Sequence, residues 1–335
     1  MRQNRCWSGL CCTVFFFCFF SVTAFSAEVP QIRQFYPAGY FPKPPVIDGE
    51  VAGDPVWVKV LEEKNFLKLG TKETAGKNTS LRVGYDDENL YFGAICAEPD
   101  LDKIKAQLKD NEAVWSEDGI EIFVFPSQKP DCFQFCVNTA GARLNLKAGS
   151  VNLFPLWDWQ VKIFKGKDFY SVETKIPFAV LGKKPQKGER WFFNVGRNTL
   201  TPDSDRATTW SYLKNQFHEP ENFGVIFFTG LPLERAQAEK ILIRELGKET
   251  EEFISYYEKG DPVLSRELQS LLREIGWYAV AEEVKKIDRL TPEERDALKD
   301  GLENLSLRLP SRVEELQKRI EELKIDSLKD SFFNS

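Results

Sequence analysis

Between residues 81 and 228 the apolar side chains come in short, aromatic and β-branched bursts, separated by Gly, Pro, Asp and Asn. This pattern restricts the fold more than any other feature, because it is the mark of many short antiparallel strands. Strands are expected at residues 81–85, 90–96, 119–125, 133–138, 159–164, 169–176, 191–197 and 224–228. Several alternate cleanly. Phe133, Phe135 and Val137 would line one face while Gln134, Cys136 and Asn138 line the other, and Val172, Thr174 and Ile176 repeat the arrangement against Ser171, Glu173 and Lys175. A sheet with one greasy face needs a second sheet to cover it, so a mainly β, antiparallel and jelly-roll-like sandwich is the expected fold.

Past Gly230 aromatic residues thin out, charge rises and the apolar spacing changes to three and four. Ile241, Ile243, Leu246, Phe253, Ile254 and Tyr257 fit one amphipathic helix, broken at residues 260–262 by Gly, Asp and Pro. Leu264, Leu268, Leu271, Leu272, Ile275 and Tyr278 begin a second that runs into Val284 and Ile287. Thr291, Pro292 and Glu293 read as the cap and first turn of a third, and residues 311–324 as a fourth. The absence of a Gly/Ser-rich linker favours docking of the two halves. The expected organisation is therefore an N-terminal extension over residues 27–44, a sandwich over 45–230 and a helical region over 231–335.

The first 26 residues carry Arg2 and Arg5, an apolar run over residues 10–20, and small residues at Ala24, Ser26 and Ala27. That is a signal-peptide layout, and the run is shorter than the roughly 20 residues of a membrane span. The expectation is a secreted or periplasmic chain with no membrane span after cleavage. Losing Arg2 and Arg5 takes the formal charge from -6 to -8, which argues against nucleic acid as a partner. Of seven cysteines, Cys96, Cys132 and Cys136 lie beyond the leader. On one strand Cys132 and Cys136 would stand about 13 Å apart, too far to bond to each other. A bridge from either to Cys96 stays open, with buried free thiols the expectation. Their spacing fits no zinc pattern, so no metal centre is expected.

Seven phrases then occur in a telling order: IDGEVAGDPVW (47–57), YDDENLYFG (85–93), VWSEDGIEIFV (114–124), VNTAGAR (137–143), VETKIPF (172–178), WFFNVGRN (191–198) and FHEPENFGVIFF (217–228). Together they resemble the family-9-like carbohydrate-binding module, a β-sandwich group, over about residues 45 to 230. A pyranose offers apolar C–H faces and a rim of hydroxyls, so its site wants a flat aromatic beside charged or amide groups. The resemblance implies that Trp115 contacts sugar, with Glu121 six residues on, and that an arginine shortly afterwards holds hydroxyls. Arg143 fits that role, with Asn145 on the same face of a strand. Trp210, in the long polar stretch 198–220, would be the second wall of an aromatic slot around one sugar ring. Trp57, Trp159 and Trp191 are expected in the core, with Trp157 evenly placed between core and cleft.

The resemblance implies a non-catalytic protein that binds a poly- or oligosaccharide in support of extracytoplasmic polysaccharide breakdown, as partner or accessory of a glycoside hydrolase. No cofactor is expected, although the family allows a structural calcium, for which the oxygen-rich turn at Asp86, Asp87 and Glu88 competes with a plain solvated turn. Glu117 and Glu121 would stand about 13 Å apart on an ideal strand, outside glycosidase spacing, and Asp118 points the other way. His218, the sole histidine, reads as structural. Three other classes remain: a haem-binding redox sandwich, weakened by the single Met1 and single His218, a scaffold that self-associates through its C-terminal helices, and an undetected hydrolase.

Overall fold

The computed structural model describes residues 30–126, 131–147 and 155–333, with side chains to residue 326. The leader expected over residues 1–26 lies outside them. The eight expected strands all form, and four more join them. In chain order they are β1 (Phe35–Tyr40), β2 (Leu67–Lys68), β3 (Thr79–Tyr85), β4 (Asn89–Ala97), β5 (Gly119–Phe125), β6 (Phe133–Asn138), β7 (Arg143–Lys147), β8 (Gln160–Lys165), β9 (Phe169–Pro177), β10 (Arg190–Asn198), β11 (Ala207–Thr209) and β12 (Gly224–Phe228). One layer runs β7-β6-β5-β10-β12-β1 and the other β3-β4-β9-β8, with β2 attached through β11. β1 belongs to both: Phe35 to Ala38 pair with β12, and Gly39 and Tyr40 pair with β3. The expected N-terminal extension is therefore corrected, since its residues 35–40 join the two layers.

Ile120, Ile122 and Val124 of β5 and Phe133, Phe135 and Val137 of β6 meet Leu81, Phe92 and Val172 of the opposite layer in one apolar core. Phe92 and Phe193 touch across it, with ring centroids 6.1 Å apart. The architecture is a two-layer, sandwich-like β fold. Trp57, Trp159 and Trp191 are buried in its core, as expected, and Trp157 packs edge-on against Phe133 and Phe135. The back of β9 is also covered, although its side chains are polar. Glu173 accepts Nε1 of Trp57 at 2.7 Å and the amides of Asp48 and Gly49 at 3.0 and 2.9 Å, so it fastens the segment 47–57 to the sheet. Cys96, Cys132 and Cys136 are buried free thiols.

A single-turn helix, α1 (Phe178–Leu181), follows β9, and four helices follow β12: α2 (Arg235–Glu258), α3 (Pro262–Glu274), α4 (Trp277–Lys285) and α5 (Pro292–Phe333). The second expected helix splits into α3 and α4 at Gly276, whose φ of 74° L residues rarely adopt. The third and fourth merge. Thr291 and Glu294 exchange capping hydrogen bonds at the start of α5, as Pro292 foretells, but the helix then runs straight through Pro310. An interior proline costs about 3 kcal/mol. Burial of Leu302, Leu309, Val313 and Ile320 along one face offsets it, at roughly 1.5 to 3 kcal/mol per large apolar side chain. Leu242, Ile243 and Leu246 of α2 join the sandwich core, so the two halves share one apolar interior. No helix among the described residues is long and apolar enough to cross a membrane.

Candidate functional site

On the side of β5, β6 and β10 that faces away from the core, Glu121 stands opposite Cys136 on one neighbour and Gly196 on the other. Its carboxylate accepts Nδ2 of Asn198 at 2.6 Å and Nε2 of Gln134 at 2.7 Å, with the Cys136 thiol 3.7 Å away. Glu121 is 6% exposed. Burial pushes its carboxyl above the usual range, and the hydrogen bonds from Asn198 and Gln134 act against that. Among the described residues no cation pairs with it. An acid held by two turnable amides keeps lone pairs that a ligand hydroxyl can use. Phe217 lies flat on Gly196, where a Cβ would come within 2.7 Å of the ring, so glycine is required there and an aromatic edge borders the Glu121 cluster.

Trp115 belongs to the one-turn 3-10 segment Val114–Ser116, which packs on β5 and β6. Val114 plugs into an apolar cluster with Cys136 and Leu144, and the tight turn then throws the next side chain outward. Trp115 is consequently 38% exposed, the most accessible tryptophan among the described residues. Its turn is braced on both sides. Glu117 accepts the amides of Gln107 and Leu108 and Nδ2 of Asn138, while Asp118 accepts the amides of Lys105 and Leu200. The acids beside Trp115 hold a loop, and neither is placed for acid or base chemistry.

Trp210 requires a correction. It is 1% exposed, stacked on Phe193 at 4.3 Å between ring centroids, with its far edge against Gly224. The stretch 198–220 is not a featureless loop: β11 pairs along β10, and the Trp210 amide donates to Val195 O at 2.9 Å, which turns the indole inward. An aromatic slot between Trp115 and Trp210 is thereby excluded.

Arg143 and Asn145 are corrected by register. Leu144 shares the face of Cys136 and Glu121, so its neighbours point the opposite way: Arg143 pairs with Val137, and Asn145 with Phe135. Nη1 of Arg143 donates to Trp159 O, and the guanidinium lies 5.7 Å from the Trp159 ring. Asn145 accepts the Trp157 amide at 2.8 Å and donates to Pro155 O at 3.2 Å. Both hold the segment that leads into β8. Sequence reasoning missed Gln134, which sits in an expected strand, and Asn198, one residue past the expected end of another; period two, with β10 running on to Asn198, places them beside Glu121.

The other sequence readings resolve locally. Asp86 accepts the amides of Glu88 and Asn89 and the Tyr91 hydroxyl, while Asp87 takes Tyr40 and Lys184. Their oxygens thus serve a turn, and no cluster that could hold a metal occurs among the described residues. The His218 ring lies 6.3 Å from that of Phe123, and burial lowers its pKa.

The two-layer β fold thus carries an exposed tryptophan, Trp115, on a turn that packs on β5 and β6, and a buried carboxylate, Glu121, held by amides on the outer side of the sheet. A family profile described as carbohydrate family 9 binding domain-like matches residues 47–231, and the chain belongs to that family. The endo-1,4-beta-xylanase A of Thermotoga neapolitana is 30% identical over 190 residues, and that of Thermotoga maritima 29%. Each match takes in 54% of this chain but 16% of the xylanase, so the chain spans a small part of these relatives. A family 9 carbohydrate-binding module from Caldicellulosiruptor kristjanssonii, in complex with cellotriose, is 24% identical over 58% of this chain and 93% of its own, with a TM-score of 0.44.

Proposed function

We propose that this chain is a non-catalytic carbohydrate-binding protein that lays a sugar ring on Trp115 and reads its hydroxyls with Glu121, Gln134 and Asn198. The observation that carries this reading is the pairing, within the family domain, of an outward indole on a braced turn with a buried carboxylate whose partners are amides. The indole supplies an apolar plate for the C–H face of a pyranose. The carboxylate accepts from hydroxyls, and each amide both donates and accepts, so the three suit a neutral polyol. Phe217 bounds the cluster where a second tryptophan was expected, which makes stacking one-sided. Export, a role in polysaccharide breakdown and an association with glycoside hydrolases complete the proposal, supported by the family and by the xylanases that share this domain.

The test is titration calorimetry with neutral xylo- and cello-oligosaccharides, preceded by a glycan array for breadth. Trp115→Ala and Glu121→Gln should each weaken binding about tenfold or more, while Arg143→Ala should leave it within about twofold. Unchanged affinity in both site variants would overturn the assignment.

A further inference from the structure

We propose that the crevice between the β half and the helices is a second binding site, independent of the Trp115 face, and that it takes a saccharide bearing a carboxylate, that is, a uronic acid. The crevice encloses about 800 Å³, within the range of small-ligand sites. Its walls come from both halves, with the β2 region and the chain after β11 on one side and α2 and α5 on the other.

One end is cationic. Lys72, Lys214 and Arg308 converge there, and Nζ of Lys72 lies 5.2 Å from the Tyr212 ring and donates to Ser311 Oγ. Among the described residues none of the three cations has an ion-pair partner. Burial lowers the Lys72 pKa, Glu314 and Glu315 raise it, and Arg308 and Lys214 lower it further. A half-buried ammonium beside two more cations is a site that an anion stabilises. Tyr212 adds a ring on which a pyranose can rest while its carboxylate meets Lys72 and Arg308.

The other end suits neutral hydroxyls. Lys299 reaches Glu63 at 2.9 Å and Glu303 at 3.5 Å, so two acids share one cation, and burial raises both carboxyl pKa values. Asn65 and Asn304 line the same stretch. The buried Trp210 forms part of the wall, and its Nε1 has no hydrogen-bond partner among the described residues.

The experiment is calorimetry on the full chain with a xylo-oligosaccharide carrying glucuronic acid, beside the neutral oligosaccharide of the same length. Trp115→Ala should retain a uronate-dependent binding event. Lys72→Glu combined with Arg308→Glu should weaken that event about tenfold or more, and raising salt from about 0.02 M to about 0.3 M should weaken it in the wild type. Lys72→Gln with Arg308→Gln, checked by thermal melting, guards against misfolding and should show a smaller loss of the same sign. Three results would each overturn the proposal: identical binding of charged and neutral sugars, loss of all uronate binding in Trp115→Ala, or no effect of the charge reversals. Inorganic phosphate is the remaining arm, and competition by it as strong as by the uronate would mean a nonspecific cation patch and sink the proposal. Because Trp115→Ala separates the two sites, failure here leaves the reading of the Trp115 face intact, and the converse holds.

Discussion

The two faces of the sheet formed by β5, β6, β7 and β10 carry the same kinds of side chain and use them in opposite ways. Toward the interior, the guanidinium of Arg143 and the amide of Asn145 are consumed by backbone groups of the segment before β8. Away from it, the carboxylate of Glu121 is held by side chains, the amides of Gln134 and Asn198 and the thiol of Cys136. The lesson is that residue type does not separate a binding group from a structural one. The difference lies in the partner: a backbone carbonyl or amide is immovable, whereas a side-chain amide can turn toward a hydroxyl.

The largest expected effect tests whether Trp210 truly belongs to the interior. Trp210→Ala should lower stability by about 3 to 5 kcal/mol, as emptying a buried aromatic site does, measured by urea unfolding. A loss under about 1 kcal/mol would return Trp210 to the surface. Next comes Glu173→Ala, which strands the Trp57 indole and two backbone amides and should cost about 2 to 4 kcal/mol without moving the affinity of the folded protein for neutral sugar. Arg143→Ala should cost about 1 to 3 kcal/mol because Trp159 O loses its donor. If it abolished sugar binding at unchanged stability, the two-face division would fail. Trp115→Ala should reverse the balance, with stability within about 0.5 kcal/mol and binding weakened about tenfold.

A further effect is in pH. Glu303, pushed up to about 8 by burial and by Glu63, has a folded pKa above its ordinary 4.5. The folded state therefore holds more protons than the unfolded chain between those values, so stability is fully present below about pH 4.5 and declines as pH rises toward 8. Glu303→Gln should flatten that decline in a series of denaturant melts. Glu121, also raised by burial, contributes a decline of the same sign, which Glu121→Gln should remove.

Much of this was legible in the chain. Period two located the boundaries of β5, β6 and β12, because half-buried strands must alternate. Thr291, Pro292 and Glu293 announced the start of α5, because capping is local chemistry, although the acid that closes the cap is Glu294. Less legible were β1, hidden among prolines at residues 37, 42, 44 and 45 and paired with the distant β12, and β11, only three residues long, which pairs with the neighbouring β10 and the distant β2. Missing β11 is what misplaced Trp210. Assigning Arg143 to the Glu121 face failed for a related reason. Alternation puts Arg143 and Asn145 on one side of their strand, but which side is settled by pairing with β6, and a shift of one residue inverts it.

By itself the sequence determined the family, the β character of residues 81–228, the helical character beyond and the identity of the exposed Trp115, all of which follow from local periodicity, capping and motif order. Only the tertiary structure decided which polar groups share a face with Glu121, that Trp210 is interior, that Pro310 lies within one helix, and that a crevice opens between the halves. These depend on register and on burial against distant segments, whose free energy exceeds the local preferences that a linear reading can weigh.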